Sequence, residues 1–225
     1  MIHHVTRAAL ALMRGSSALA ASLATAALLL SANAGAQERH ASPWHIHVLG
    51  GFGYASFTEN RPDGHYATNP LKLETSGLAL QFQGGVARRL STRFSLGAAL
   101  SYFNLVAPSY TLTPRSGGTL ESNESSLGGG YVGALACYEL SDAFDVNAIL
   151  GFGGLGRSSP SPGMGGTGPA FSAATSWHVS PPGAAAVTLQ ARFTVISMNR
   201  DGSDGEGTNT STLIMPALLA GVTWR

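Results

Sequence analysis

From Trp44 to Trp224 apolar and polar residues alternate with a period of two, and no other feature of the chain constrains its fold as tightly. Successive side chains of a β-strand point to opposite faces, so this pattern predicts strands with one apolar face each. The first stretch sets Trp44, Ile46, Val48, Phe52 and Tyr54 against His45, His47, Gly51, Gly53 and Ala55. The second sets Leu78, Leu80, Phe82 and Val86 against Ala79, Gln81, Gln83, Gly85 and Arg89. The third opposes Phe94, Leu96, Ala98, Leu100 and Tyr102 to Ser95, Gly97, Ala99 and Ser101. The fifth opposes Phe144, Val146, Ala148, Leu150 and Phe152 to Asp145, Asn147, Gly151 and Gly153. In the sixth, Phe171, Ala173, Thr175, Trp177 and Val179 face away from Ser172, Ala174, Ser176 and His178. In the seventh, Val187, Leu189, Ala191, Phe193 and Val195 face away from Thr188, Gln190, Arg192 and Thr194. Two stretches are less regular. In the fourth, Gly128 to Leu140, either face could be the apolar one. In the eighth, Leu213 to Trp224, both faces are apolar, and a bulge is expected at Pro216, which removes a ladder hydrogen bond.

The connections between these eight stretches alternate in length. Glu59 to Thr75, Pro108 to Ser125, Ser158 to Gly168 and Arg200 to Thr210 are long and polar, whereas Ser91 to Arg93, Ser141 to Ala143 and Ser180 to Ala185 are short. Long loops on one side and short turns on the other are the mark of an up-and-down membrane barrel. Composition points the same way: charged residues make up 11% of the chain, against roughly 25% in an ordinary soluble domain. A soluble barrel or sandwich would need far more surface charge to keep Gln81, Gln83, Arg89, Asp145, Asn147, Gln190 and Arg192 opposite its apolar faces. The expected fold class is therefore all-β, an eight-stranded antiparallel up-and-down transmembrane β-barrel.

Residues 1–36 are expected to be a cleaved secretory signal peptide. Arg7 and Arg14 lie ahead of the uncharged stretch Ala18 to Leu30, and Ala34-Gly35-Ala36 supplies the small-residue cleavage site. That stretch is too short to span a bilayer as a helix. A short periplasmic segment, 37–43, would precede a barrel over 44–225. No later segment qualifies as a spanning helix. Ser158 to Ala191 lacks Asp, Glu, Lys and Arg but is broken by Pro160, Pro162, Pro169, Pro181 and Pro182.

With the N-terminus in the periplasm, Trp44, Phe94, Phe144, Trp177 and Trp224 fall at the periplasmic interface, and Tyr54, Tyr102, Phe152 and Phe171 near the outer one. Aromatic rings gather at both headgroup levels of such barrels. On these residues, and on architecture alone, the chain resembles the small eight-stranded outer-membrane barrels of the OmpA/OmpX/OmpW type. The resemblance implies residence in the bacterial outer membrane. It also implies contact with lipid and lipopolysaccharide, and delivery by the barrel-assembly machinery. The last stretch, Thr212 to Arg225, resembles the C-terminal signal read by that machinery, with Trp224 as its aromatic.

An eight-stranded barrel is just wide enough for its inward side chains to fill. The inward set His45, His47, Gln81, Gln83, Arg89, Asp145, Asn147, His178, Gln190 and Arg192 is thus expected to form a hydrogen-bonded lumen network, with Asp145 pairing Arg89 or Arg192. A narrow small-solute channel is the alternative. His45, His47 and His178 share one end of the lumen, but neutral imidazoles in a polar lumen need no metal, and no cofactor is expected. Lipid A-modifying barrel enzymes rely on a histidine and a serine at the outer rim. Only His65 lies at that level, and no compact His-x-Ser segment accompanies it. The carboxylates Asp201, Asp204 and Glu206 do not follow an EF-hand pattern and are expected at a solvated loop tip. A net charge of +1, with Lys72 the sole lysine, gives no footprint for nucleic acid. One cysteine, Cys137, excludes an intramolecular disulfide framework. The expected role is structural or surface-interacting, non-enzymatic and monomeric, with the polar loops outside.

Overall fold

The structure, a computed structural model, describes residues 42–61, 71–113, 120–122, 127–157, 165–179, 185–201 and 208–225. The expected signal peptide at 1–36, His65, Asp204 and Glu206 lie outside the described residues. The described chain forms nine strands: β1 (Trp44–Arg61), β2 (Leu71–Arg89), β3 (Phe94–Thr113), β4 (Leu120–Ser122), β5 (Leu127–Glu139), β6 (Phe144–Arg157), β7 (Gly165–His178), β8 (Ala186–Asp201) and β9 (Thr208–Trp224). The short β4 pairs only with β3. The other eight pair antiparallel with their neighbours, and β9 returns to β1, so the sheet closes into an eight-stranded barrel.

The register gives the stagger of that closure. Following paired residues once round the barrel leads from Gly50 through Phe82, Tyr102, Gly130, Gly154, Thr167, Asn199 and Thr210 back to β1 at Asn60, ten residues further along. Such a shear tilts the strands by about 40° from the barrel axis.

Polarity along each strand then shows which solvent surrounds it. On β1 the outward apolar run is Trp44 to Tyr54, and on β9 it is Ile214 to Trp224, eleven residues each. Ten steps of about 3.3 Å, tilted by about 40°, cover about 25 Å, the height of the apolar band of an outer-membrane barrel. Beyond Tyr54 the outward residues become Ser56, Thr58 and Asn60, while the inward ones become Phe57 and Glu59, both buried. The same reversal occurs on β9, where outward Thr210 and Thr212 lead into buried Leu213, and on β8, where outward Ser197 and Asn199 flank buried Met198. One continuous barrel therefore has an inside-out section in lipid and, above it, a section built like a soluble protein.

Several strand limits differ from those expected. β1, β2, β3, β8 and β9 run on into segments assigned to loops, because an inward apolar and outward polar pattern keeps a period of two while reversing its sense. Across the β3–β5 and β5–β6 pairings the fourth stretch presents Val132, Ala134 and Tyr138 outward and buries Tyr131, Leu135 and Cys137. No bulge forms at Pro216. Its register with Phe193 is unshifted, and the β1–β9 register is the same on both sides of it, with bridges missing only at Tyr54 and Ala55. Without an N–H the proline simply leaves a gap in the ladder. The bulge lies instead between β2 and β3 near Gly77, where Ala107 takes a φ of 48°. One extra residue there turns Pro108 and Tyr110 inward, at the level where the barrel leaves lipid.

Two of the three short turns share one sequence, Leu-Ser-x-x-Phe. Leu90 and Ser91 both donate backbone N–H groups to Phe94 O, at 2.8 and 3.1 Å, and Leu140 and Ser141 do so to Phe144 O, at 2.9 and 3.1 Å. The Ser91 hydroxyl accepts from Phe94 N at 3.1 Å, locking the first turn with a side chain as well.

Candidate functional site

The inside of the barrel divides at mid-height. Its periplasmic half holds one connected hydrogen-bond network across five strands. The Thr188 hydroxyl donates to Thr223 at 2.8 Å and lies 3.0 Å from His178 Nδ1. His178 Nε2 lies 2.7 Å from Asp145 Oδ2. Asn147 donates to Asp145 Oδ1 at 3.3 Å and to Ser176 at 3.2 Å, and Gln190 donates to the same serine at 3.0 Å. Arg192 then spreads its guanidinium over Gln190 (3.0 Å), Ser172 (2.6 Å) and Asn147 (2.7 Å). Ser172 continues to Thr194 at 3.0 Å, and Thr194 to Tyr131 at 3.4 Å. Every member is buried, and satisfied groups of this kind set one another's orientation.

The expected ion pair of Asp145 with Arg89 or Arg192 does not form. Asp145 is held by His178 on the next strand, and Arg192 reaches it only through Asn147. Arg89 sits nearer the mouth, half-buried, and pairs with Glu139 at 2.5 Å. Cross-strand neighbours decided these pairings, and alternation carries no information about them.

The facing wall, β1 and β2, is less fully linked. Gln83 Nε2 donates to His47 Nε2 at 2.8 Å, and Gln81 Nε2 to Ser101 at 2.9 Å. His47 and His45 meet edge to face with ring centres 6.0 Å apart. His47 fits because residue 85 is glycine: a Cβ there would stand 2.5 Å from the imidazole. Among the described residues, the buried side-chain atoms without a hydrogen-bond partner are His45 Nδ1, Thr75 Oγ1, Gln81 Oε1 and Gln83 Oε1, all on this wall. No cluster of three His, Cys, Asp or Glu side chains suited to a metal occurs among the described residues.

The outer half of the interior is mainly apolar, with Glu59, Thr75 and Ser211 as buried polar members, and sequence reasoning missed it. Phe57, Leu73, Phe103, Leu105, Leu127, Ile196, Met198, Leu213 and Met215 belong to one buried cluster, none more than 2% exposed. Leu73 lies in a segment expected to be a loop, and Phe57, Phe103, Leu105, Ile196 and Met198 lie just past the ends of the expected strands. A clue was present: odd-numbered Phe57, Leu73 and Leu105 continue the inward parity of His47, Gln83 and Ser101.

The aromatic girdle lies on the outside. Trp44, Tyr54, Tyr102, Phe144, Phe152, Phe171 and Trp177 are exposed, and Phe94 and Trp224 are partly covered. Phe144 stacks on Trp177 across the β6–β7 pair, with ring centres 6.4 Å apart. At the same end Arg225 donates to the Asp142 carbonyl.

No family model and no curated protein matches the sequence. Solved structures are similar in architecture. The outer membrane protein OprG from Pseudomonas aeruginosa matches at 14% identity and a TM-score of 0.47, over 82% of this chain and 96% of that one. Neisserial surface protein A (NspA) matches at 13% and 0.44, over 83% and 99% of the two chains. Ail, the attachment invasion locus protein of Yersinia pestis, matches at 13% and 0.40, over 80% and 99%. Likeness at this level is one of fold, and it is the barrel's own surface that assigns it to a membrane. A closed barrel with a continuous apolar girdle and a polar inner half is an integral outer-membrane β-barrel.

Proposed function

We propose that the protein is a non-enzymatic, monomeric surface barrel whose projecting wall and polar loops meet partners outside the cell. The observation that carries this reading is the height of β1, β2, β3, β8 and β9. They contain 18, 19, 20, 16 and 17 residues, where about 9–11 cross a bilayer. The surplus is ordered strand with a water-compatible outer face, and exposed structure held on a rigid scaffold is the usual place for recognition. The packed interior supports the same reading over a channel, since a buried apolar cluster fills the outer half of the lumen. Asp145, His178 and Thr188 adjoin one another as an acid, a base and a hydroxyl would in a hydrolase. All three are buried at the periplasmic end, away from the outer leaflet where lipid A lies.

Cysteine placed at Thr210 tests the display. An impermeant maleimide should label Thr210→Cys on intact cells, while the native chain, with Cys137 buried, stays unlabelled. The folded protein should also migrate faster on SDS gels before boiling than after. Absence of labelling on intact cells, including cells whose lipopolysaccharide lacks core sugars, would overturn the reading. So would discrete conductance steps in planar bilayers, or altered lipid A in the mass spectrum of expressing cells.

A further inference from the structure

The projecting wall carries a regular array of hydrogen-bonding groups directly above the lipid band. Two outward rows cross it in register. One runs Glu74, Thr58, Thr212, Ser197, and the other Lys72, Asn60, Thr210, Asn199. Rows on neighbouring strands repeat at about 5 Å, and successive outward residues on one strand at about 7 Å. The side chains of Thr58, Asn60, Ser197, Asn199, Thr210 and Thr212 make no hydrogen bond to another described residue, so their hydroxyls and amides are open to a ligand. The only charges among the described side chains of these rows, Lys72 and Glu74, neutralise each other at 2.6 Å. Just below lies Tyr54, 55% exposed, with an apolar ring face and a hydroxyl.

We infer that this wall binds the neutral sugar rings of the lipopolysaccharide core that surrounds the barrel, an inference that rests on the surface-display reading. The face begins where the acyl chains end, which is the level of the glycolipid's saccharide. A neutral array of donors and acceptors suits a polyhydroxylated neutral ligand. It has no net charge with which to hold the phosphates of lipid A. An aromatic ring at the lower edge offers a sugar ring a flat apolar surface, while the threonine rows meet its hydroxyls. The wall would thus grip the headgroup as the girdle grips the chains.

The test uses the full-length mature chain refolded in detergent, with lipopolysaccharide retention measured after size-exclusion chromatography. Two probes are compared: lipopolysaccharide with a complete core, and lipid A without core sugars. The native chain should retain the complete form about tenfold better. The triple variant Thr58→Val, Thr210→Val, Thr212→Val keeps shape and β propensity, should fold by gel mobility, and should lose that preference. Free core oligosaccharide should compete, and chelation of divalent cations should leave retention unchanged. Equal retention of both probes, a triple variant indistinguishable from native, or loss of binding on chelation would each overturn the inference. If Thr210→Cys is labelled on cells while both probes are held alike, the sugar inference fails and surface display stands. If that cysteine is labelled neither on native cells nor on cells whose lipopolysaccharide lacks core sugars, surface display fails with it.

Discussion

His178 and Asp145 face each other at 2.7 Å across β6 and β7, with side chains 0% and 2% exposed. Burial strips both of water, so each depends on the other, and on Thr188 and Asn147, for its hydrogen bonds. Asp145→Ala should therefore destabilise the barrel by about 1–3 kcal/mol, because it leaves His178 Nε2 without its partner at a buried position. Replacing both partners together, Asp145→Leu with His178→Phe, should cost less than the single change. Urea unfolding of the protein in lipid vesicles checks this, and additivity of the two single changes would contradict it.

The change of polarity along β9 makes a sharp comparison. Leu218 lies in the middle of the lipid band and is 71% exposed, whereas Thr212, six residues back on the same outward face, stands above it. Leu218→Arg should cost about 2–4 kcal/mol, and Thr212→Arg close to nothing. The folding free energy of each variant in vesicles decides the matter. Equal costs would mean that the lipid band is misplaced.

Two adjacent glycines should respond in opposite ways. Gly85 faces inward, where a Cβ would meet His47 at 2.5 Å and Leu135 at 3.0 Å, while at Gly84 a Cβ would enter open space. His47 is pinned by Gln83 and cannot simply swing aside. Gly85→Ala should cost about 1–3 kcal/mol through overpacking. Gly84→Ala should be neutral or slightly stabilising, by relief of chain entropy in the unfolded state. Paired urea titrations separate the two.

Closure depends on the end of β9, where Trp224 pairs with Ile46 and Val222 with Val48. An unpaired edge in lipid leaves its N–H and C=O groups unsatisfied. Trp224→Ala, and more severely deletion of Val222 to Arg225, should block insertion and leave the chain in the periplasm for degradation. The lumen change Gln83→Ala should still insert. Fractionation and immunoblotting of membranes read the outcome, and normal membrane levels of the truncated chain would contradict the role assigned to β9.

Much of this architecture was legible in the residues because a strand's two faces follow from parity alone. His45, His47, Gln81, Gln83, Asp145, Asn147, His178, Gln190 and Arg192 could be placed inward without coordinates, and Trp44 or Phe152 outward. Parity does not say which solvent lies on each side. The segments that emerge from the bilayer, such as Glu59 to Asn60 and Lys72 to Thr75, keep their alternation but reverse its meaning, and so read as loops, since outward Asn60, Lys72 and Glu74 resemble a loop in composition.

The sequence by itself determined the strand count of the barrel and the face taken by residues of its regular stretches, because these are local consequences of a two-residue repeat and its punctuation. Only the tertiary structure decided that Asp145 would pair with His178, that Arg89 would pair with Glu139, and that the extra residue would fall at Ala107 and not at Pro216. Those outcomes depend on which residues of neighbouring strands meet. That is set by the ten-residue stagger of a closed sheet, a property of the whole ring that no single strand encodes.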